Sequence, residues 1–146
     1  MAGLAKSRAV LVTGASSGIG LACCRLLASR GWRVALADVN VDDGEKAAAE
    51  IRAQHAGSDA VFYPLDVCDE AQTEDTVAAV VDQYGSIDGA IANAGVVFQK
   101  PFLETTTEEY TRVINTNLVV RAAILKPTCS PAADNCSCCR CDHLAA

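Results

Sequence analysis

The residues best equipped for chemistry come early in the chain. Thr13-Gly14-Ala15-Ser16-Ser17-Gly18-Ile19-Gly20 sets three glycines at G-x-x-x-G-x-G spacing. Glycines permit a tight turn and leave no Cβ to hold a ligand off the backbone. The run lies between an apolar stretch ending at Thr13 and a segment of helical period. A helix that starts there offers free N–H groups and the positive end of its dipole to an anion. Ser16 and Ser17 add hydroxyl donors. The chemistry implied is capture of a diphosphate. A glycine-rich turn says little alone; its place between a strand and a helix gives it content.

Three other features carry chemistry. Asp38 ends the next apolar run, eighteen residues after Gly20. An acid there accepts hydrogen bonds from the hydroxyls of an adenosine ribose. It also repels a 2′-phosphate, and Ser17, just before Gly18, offers that phosphate no cation. Both features favour NAD over NADP. Asn117 falls on the apolar face made by Val113 and Ile114. A buried amide needs partners, from backbone, water or a reacting group. Of the eight cysteines, Cys23, Cys24 and Cys68 lie in the regular part, and Cys129, Cys136, Cys138, Cys139 and Cys141 crowd the end. With His143 the last four could bind Zn²⁺ or Cu⁺, but C-x-C-C-x-C is tighter than structural zinc spacing. The expectation is no metal site, and reduced thiols rather than a disulfide framework.

The elements that must position these residues alternate in period. Arg8–Thr13, Arg33–Asp38, Ala60–Leu65 and Ile87–Ala92 read as buried strands. Helical spacing joins Ile19, Cys23, Leu26 and Leu27, then Asp42–His55, then Val77, Val80, Val81 and Tyr84. Gly31, Gly57 and Gly85 stop these helices. Thr106 and Glu109 form a capping-box pair, ahead of a face made by Tyr110, Val113, Ile114, Asn117 and Leu118. The order β-α-β-α-β-α-β-α predicts an α/β fold. Right-handed crossovers make it a Rossmann-type doubly wound parallel sheet of about four strands. The pattern fails near residue 122. The expectation is an incomplete domain over 1–125 and an irregular Cys-rich tail over 126–146.

Composition narrows the partners. The chain has 146 residues and a formal net charge of −6. No basic patch speaks for nucleic acid. No apolar run is long enough to span a bilayer. Met1 to Lys6 lacks the apolar core of a secretory signal, so the expected location is cytoplasmic.

Together these residues resemble the short-chain dehydrogenase/reductase family, from about Ser7 to about Leu118. Thr13 to Gly20 resembles the family's T-G-x-x-x-G-x-G cofactor loop. Leu65-Asp66-Val67 is similar to its adenine-contacting segment, with Asp66 accepting from the adenine amino group. Ala92-Asn93-Ala94-Gly95 resembles its N-N-A-G motif, with Ala in the first place. Asn115-Thr116-Asn117-Leu118 resembles its Asn-Leu segment and makes Asn117 the match for a catalytic asparagine that holds a relay water. The resemblance implies an oxidoreductase that binds NAD(H) and acts on an alcohol/ketone pair.

The family's proton-handling Ser and Tyr-x-x-x-Lys have no match. Tyrosines stand only at 63, 84 and 110, followed four residues on by Val67, Asp88 and Ile114. Lys126 is the only lysine after Asn117. The expectation is therefore a truncated, cofactor-binding but inactive chain. Two alternatives stay open: a non-catalytic nucleotide- or partner-binding module, and a Cys-rich metal-binding tail on a decayed domain. Ile87–Ala92, lacking further strands, would be an open edge prone to self-association. Phe98 and Phe102 suggest an apolar rim to any substrate pocket.

Overall fold

The structure, a computed structural model, describes residues 7–55 and 57–119. The Cys-rich tail, with Lys126 and the expected boundary at 125, lies outside the described residues.

Four strands form one parallel sheet in the order β3-β2-β1-β4. They are β1 (Ala9–Thr13), β2 (Arg33–Asp38), β3 (Ala60–Pro64) and β4 (Gly89–Ile91). Helices α1 (Gly18–Ser29), α2 (Val41–Gln54) and α3 (Glu70–Tyr84) connect them, and α4 (Thr107–Ile114) follows β4. β1 is central and wholly buried. Leu11 pairs with Ala35 on one side and Ala90 on the other. A strand flanked and covered in this way must be apolar on both faces, which explains the Ala-Val-Leu-Val run.

Alternate side chains of β1 feed two cores, as the period of two demands. Ala9 and Leu11 join Val77, Val80 and Tyr84 of α3. Val10 and Val12 join Cys24 and Ala28 of α1, and Ala47, Ala48 and Ile51 of α2. Local signals set the helix ends. Asn40 and Asp69 cap α2 and α3, accepting from Asp43 N at 3.2 Å and Gln72 N at 3.0 Å. Gly85 closes α3 in the left-handed region, at φ 75°. The capping box at Thr106 and Glu109 is present.

Three sequence expectations need correction. The inner face of α1 is Gly20, Cys24 and Ala28, while Ile19 is 76% and Leu26 51% exposed. At its first turn the helix lies so close to the glycine turn that no side chain fits at Gly20. A Cβ on Gly20 would collide with the Gly14 carbonyl. β4 spans three residues rather than Ile87–Ala92. Its ladder reaches only Val10–Val12, because the Asp88 carboxylate takes the Ala9 amide at 2.8 Å. The apolar faces of α3 and α4 are narrower than their spacing suggests. Val81, Tyr110 and Leu118 point outward, at 42%, 57% and 66% exposure.

Candidate functional site

In a parallel sheet all strands end on the same side, so their following loops meet. β2 and β3 lie to one side of β1 and β4 to the other. The chain thus reverses direction across the sheet between β1 and β4. Open α/β sheets bind ligands at such a switch point. Here it holds a cleft of about 190 Å³ lined by Gly14, Asp38, Asp66, Val67, Ala94 and Gly95, with α4 along its outer side.

The glycine turn is built for close approach. Gly14 and Gly18 have φ of +64° and +53°. A Cβ on Gly14 would lie 2.9 Å from both Ala94 Cα and Asn93 Nδ2. Gly18 differs: a Cβ there would meet nothing within 4 Å, so its free face opens to solvent. Ser17 stands at the N-cap of α1, yet its side chain caps no amide. First-turn amides have no intrahelical partner. They stay available to an anion beside an open glycine, and the residues present fit a diphosphate.

Asp38 holds that turn as well as facing the cleft. Its Oδ2 accepts from Ser16 N at 3.0 Å, and Oδ1 accepts from Asn40 N at 3.1 Å. Ala15 N donates to Ala37 O at 3.2 Å and pins the same loop to β2. A carboxylate accepts about four hydrogen bonds, so both oxygens keep capacity for hydroxyl donors.

The other sequence-predicted residues divide into walls and braces. Asn93 Nδ2 donates to Thr13 O at 3.0 Å and to Gly14 O at 3.1 Å. Ala94 N donates to Thr13 Oγ1 at 3.2 Å. These bonds tie the loop after β4 to the loop after β1, and Asn93 itself does not line the cleft. Asp66 is exposed, with Oδ1 accepting from Cys68 N at 2.9 Å, and Val67 is a buried wall. Ser16 is buried, whereas Ser17, Gly18 and Ile19 are exposed at the turn.

Asn117 finds its partners in one residue. Oδ1 accepts from Val96 N at 2.8 Å and Nδ2 donates to Val96 O at 2.9 Å. Asn117 lies in a π-helical turn, Asn115–Val119, that continues α4. Such turns recur at functional sites. The side-chain amide braces the backbone just beyond Gly95.

Sequence reasoning missed the α4 side of the cleft. Arg112 and Thr116 line it, and the Cys68 thiol lies 3.3 Å from Thr116 Oγ1. Their i, i+4 spacing put both on one helical face. That signal was readable, but it lay beside the apolar face that drew attention.

The sequence pattern that defines the short chain dehydrogenases matches residues 8–126. The chain belongs to the short chain dehydrogenase family. It is 38% identical over 116 residues to a cyclopentanol dehydrogenase of Comamonas sp. (strain NCIMB 9872), covering 80% of this chain and 46% of that protein. It is 37% identical over 111 residues to a sorbitol dehydrogenase of Cereibacter sphaeroides, covering 76% of this chain and 41% of that one. Among solved structures it resembles an alcohol dehydrogenase from the archaeon Thermococcus sibiricus, complexed with 5-hydroxy-NADP. The TM-score is 0.78 and the identity 34%, over 82% of this chain and 51% of that one. The chain thus spans about half the length of the relatives it matches. Among its described residues no helix is long and apolar enough to cross a membrane.

Proposed function

We propose that this chain is the NAD-binding portion of a short chain dehydrogenase whose complete form acts on an alcohol/ketone pair. The observation that carries the reading is convergence. The glycine turn after β1, Asp38 at the end of β2 and Asp66 after β3 meet at one cleft beside unpaired helix amides. The turn and α1 receive the diphosphate, Asp38 takes the adenosine ribose, and Asp66 takes the adenine amino group. Bound there, the nicotinamide would supply hydride exchange.

NAD is favoured over NADP because Asp38 occupies the ribose position and Ser17 brings no cation to it. The alcohol dehydrogenase of T. sibiricus is complexed with an NADP derivative, so the preference for NAD rests on Asp38 and Ser17 alone and not on that likeness. The 146 residues contain no Tyr-x-x-x-Lys, so the role assigned to them is cofactor binding and not proton transfer.

Fluorescence titration with NADH and NADPH tests the proposal. NADH binds tighter than NADPH, and Asp38→Ala removes the difference. Absence of binding by folded protein, or equal affinities before the substitution, overturns it.

A specific observation favours a second role, self-association. Among the described residues β4 is an edge strand, paired only with β1. In the segment that follows β4, Val97, Phe102 and Leu103 are 77%, 82% and 95% exposed. Open edges with apolar surroundings pair with other chains.

A further inference from the structure

Arg112 is the cation of the cleft. Among the described residues it is the only basic side chain lining either the cleft or the shallower groove that continues from it. It is exposed on α4, four residues before Thr116. Neither ion pair among the described residues uses it; those join Arg25 to Glu50 and Lys100 to Glu109.

The position of Arg112 argues against a phosphate role. The outer groove includes Asp66, Cys68 and Arg112 but no residue of the glycine turn. Arg112 therefore stands at the Asp66 end of the cleft, away from the turn that offers amides to a diphosphate. Leu65, Val67 and Val96 make apolar walls of the same cleft. A slot with apolar walls, a carboxylate at one edge and a guanidinium at its rim suits a flat, weakly polar ring. Guanidinium is planar, weakly hydrated and stacks on π faces; an ammonium of equal charge does so less well.

Resting on the dinucleotide reading above, we propose that Arg112 lies against the face of the adenine base and makes the cleft select a purine over a pyrimidine. Its contribution is stacking rather than charge neutralisation. It is a specificity residue for the base end of the ligand, and it takes no part in proton or hydride transfer.

Calorimetry with ADP-ribose and CDP-ribose tests this on the full chain. The wild type binds ADP-ribose tighter than CDP-ribose. Arg112→Ala and Arg112→Lys each weaken ADP-ribose by roughly three- to thirty-fold and leave CDP-ribose nearly unchanged. Circular dichroism shows the variants folded, since Arg112 is exposed and packs in neither core. If Arg112→Lys keeps wild-type affinity, the residue acts as a point charge and the inference fails. If Arg112→Ala binds ADP-ribose as tightly as the wild type, the inference fails while the dinucleotide reading stands. If the wild type binds neither compound, both readings fail. Equal affinity of the wild type for the two compounds overturns the inference without any variant.

Discussion

The side-chain amide of Asn117 brackets the peptide of Val96, accepting from its N–H at 2.8 Å and donating to its carbonyl at 2.9 Å. Twenty-one residues separate the two, and no strand ladder serves this stretch of loop. One side chain thus does what a neighbouring strand would do. Asn117→Ala leaves both Val96 groups without protein partners. We expect a loss of about 1–3 kcal/mol in denaturant unfolding. Asn117→Asp keeps the acceptor for Val96 N but turns a carboxylate oxygen toward the Val96 carbonyl, so it is destabilised as well. If Asn117→Ala unfolds at the wild-type midpoint, the brace is not structural.

Gly14 and Gly18 separate packing from ligand access. Both sit at positive φ, but only Gly14 is crowded, by Ala94 and Asn93. Gly14→Ala should therefore destabilise by more than the ~1–2 kcal/mol that the left-handed conformation alone costs. Gly18→Ala should cost no more than that strain while weakening NADH strongly, because its Cβ enters the open face of the turn. Thermal melts and NADH titrations of the two variants check this. A Gly18→Ala protein that binds NADH normally would show that the turn does not receive the diphosphate.

The cysteines report on occupancy. Burial, then the neighbouring Cys23, push the Cys24 thiol up to about 12. Cys68 is exposed and lines the cleft. At neutral pH an alkylating reagent should modify Cys68 and spare Cys24. Saturating NAD should slow Cys68 modification several-fold, followed by peptide mass spectrometry. Unchanged labelling with NAD present would separate Cys68 from the ligand.

Alkaline pH should destabilise the fold, and the sign follows from linkage. The Cys24 pKa is raised from 9.0 to about 12, so the unfolded state loses its proton first. Stability is fully present below 9 and declines as pH rises from there toward 12. Tyr84 shifts in the same direction, through burial first and then Asp59. Cys24→Ala should flatten part of the slope in urea midpoints measured across that range. An unchanged slope assigns the alkaline loss to Tyr84 and other groups.

The exposed edge makes a further measurement decisive. Light scattering over a range of concentration should show this chain associating. Replacing Leu103, 95% exposed, with Lys should reduce association without loss of secondary structure. A monomer at every concentration tested would refute the second role.

Much of the fold was legible because it follows from period and capping. Buried strands announce themselves as apolar runs, and the capping box at Thr106 needs only two residues at fixed spacing. The face of α1 was not legible. Ile19 and Leu26 have the size that a core position usually attracts, but close approach to Gly14 demands Gly20, and the same face continues through Cys24 and Ala28 into the core beside α2. The width of a helix–loop gap is not written in periodicity. The same holds for the site. Gly14, Asp38 and Asp66 follow strands, whose ends are predictable, and they meet as expected. The i, i+4 spacing of Arg112 and Thr116 puts them on one helical face, but that this face docks against the Asp66–Cys68 loop is a tertiary outcome that the spacing does not carry.

Asn93 grips the carbonyls of Thr13 and Gly14 across some eighty residues of chain. A nascent polypeptide has made its phosphate turn long before it makes this clamp. During synthesis the turn must wait for β4 to emerge and dock before its shape is fixed. On the proposed reading, nucleotide binding would follow completion of the four-stranded sheet rather than the appearance of the glycines.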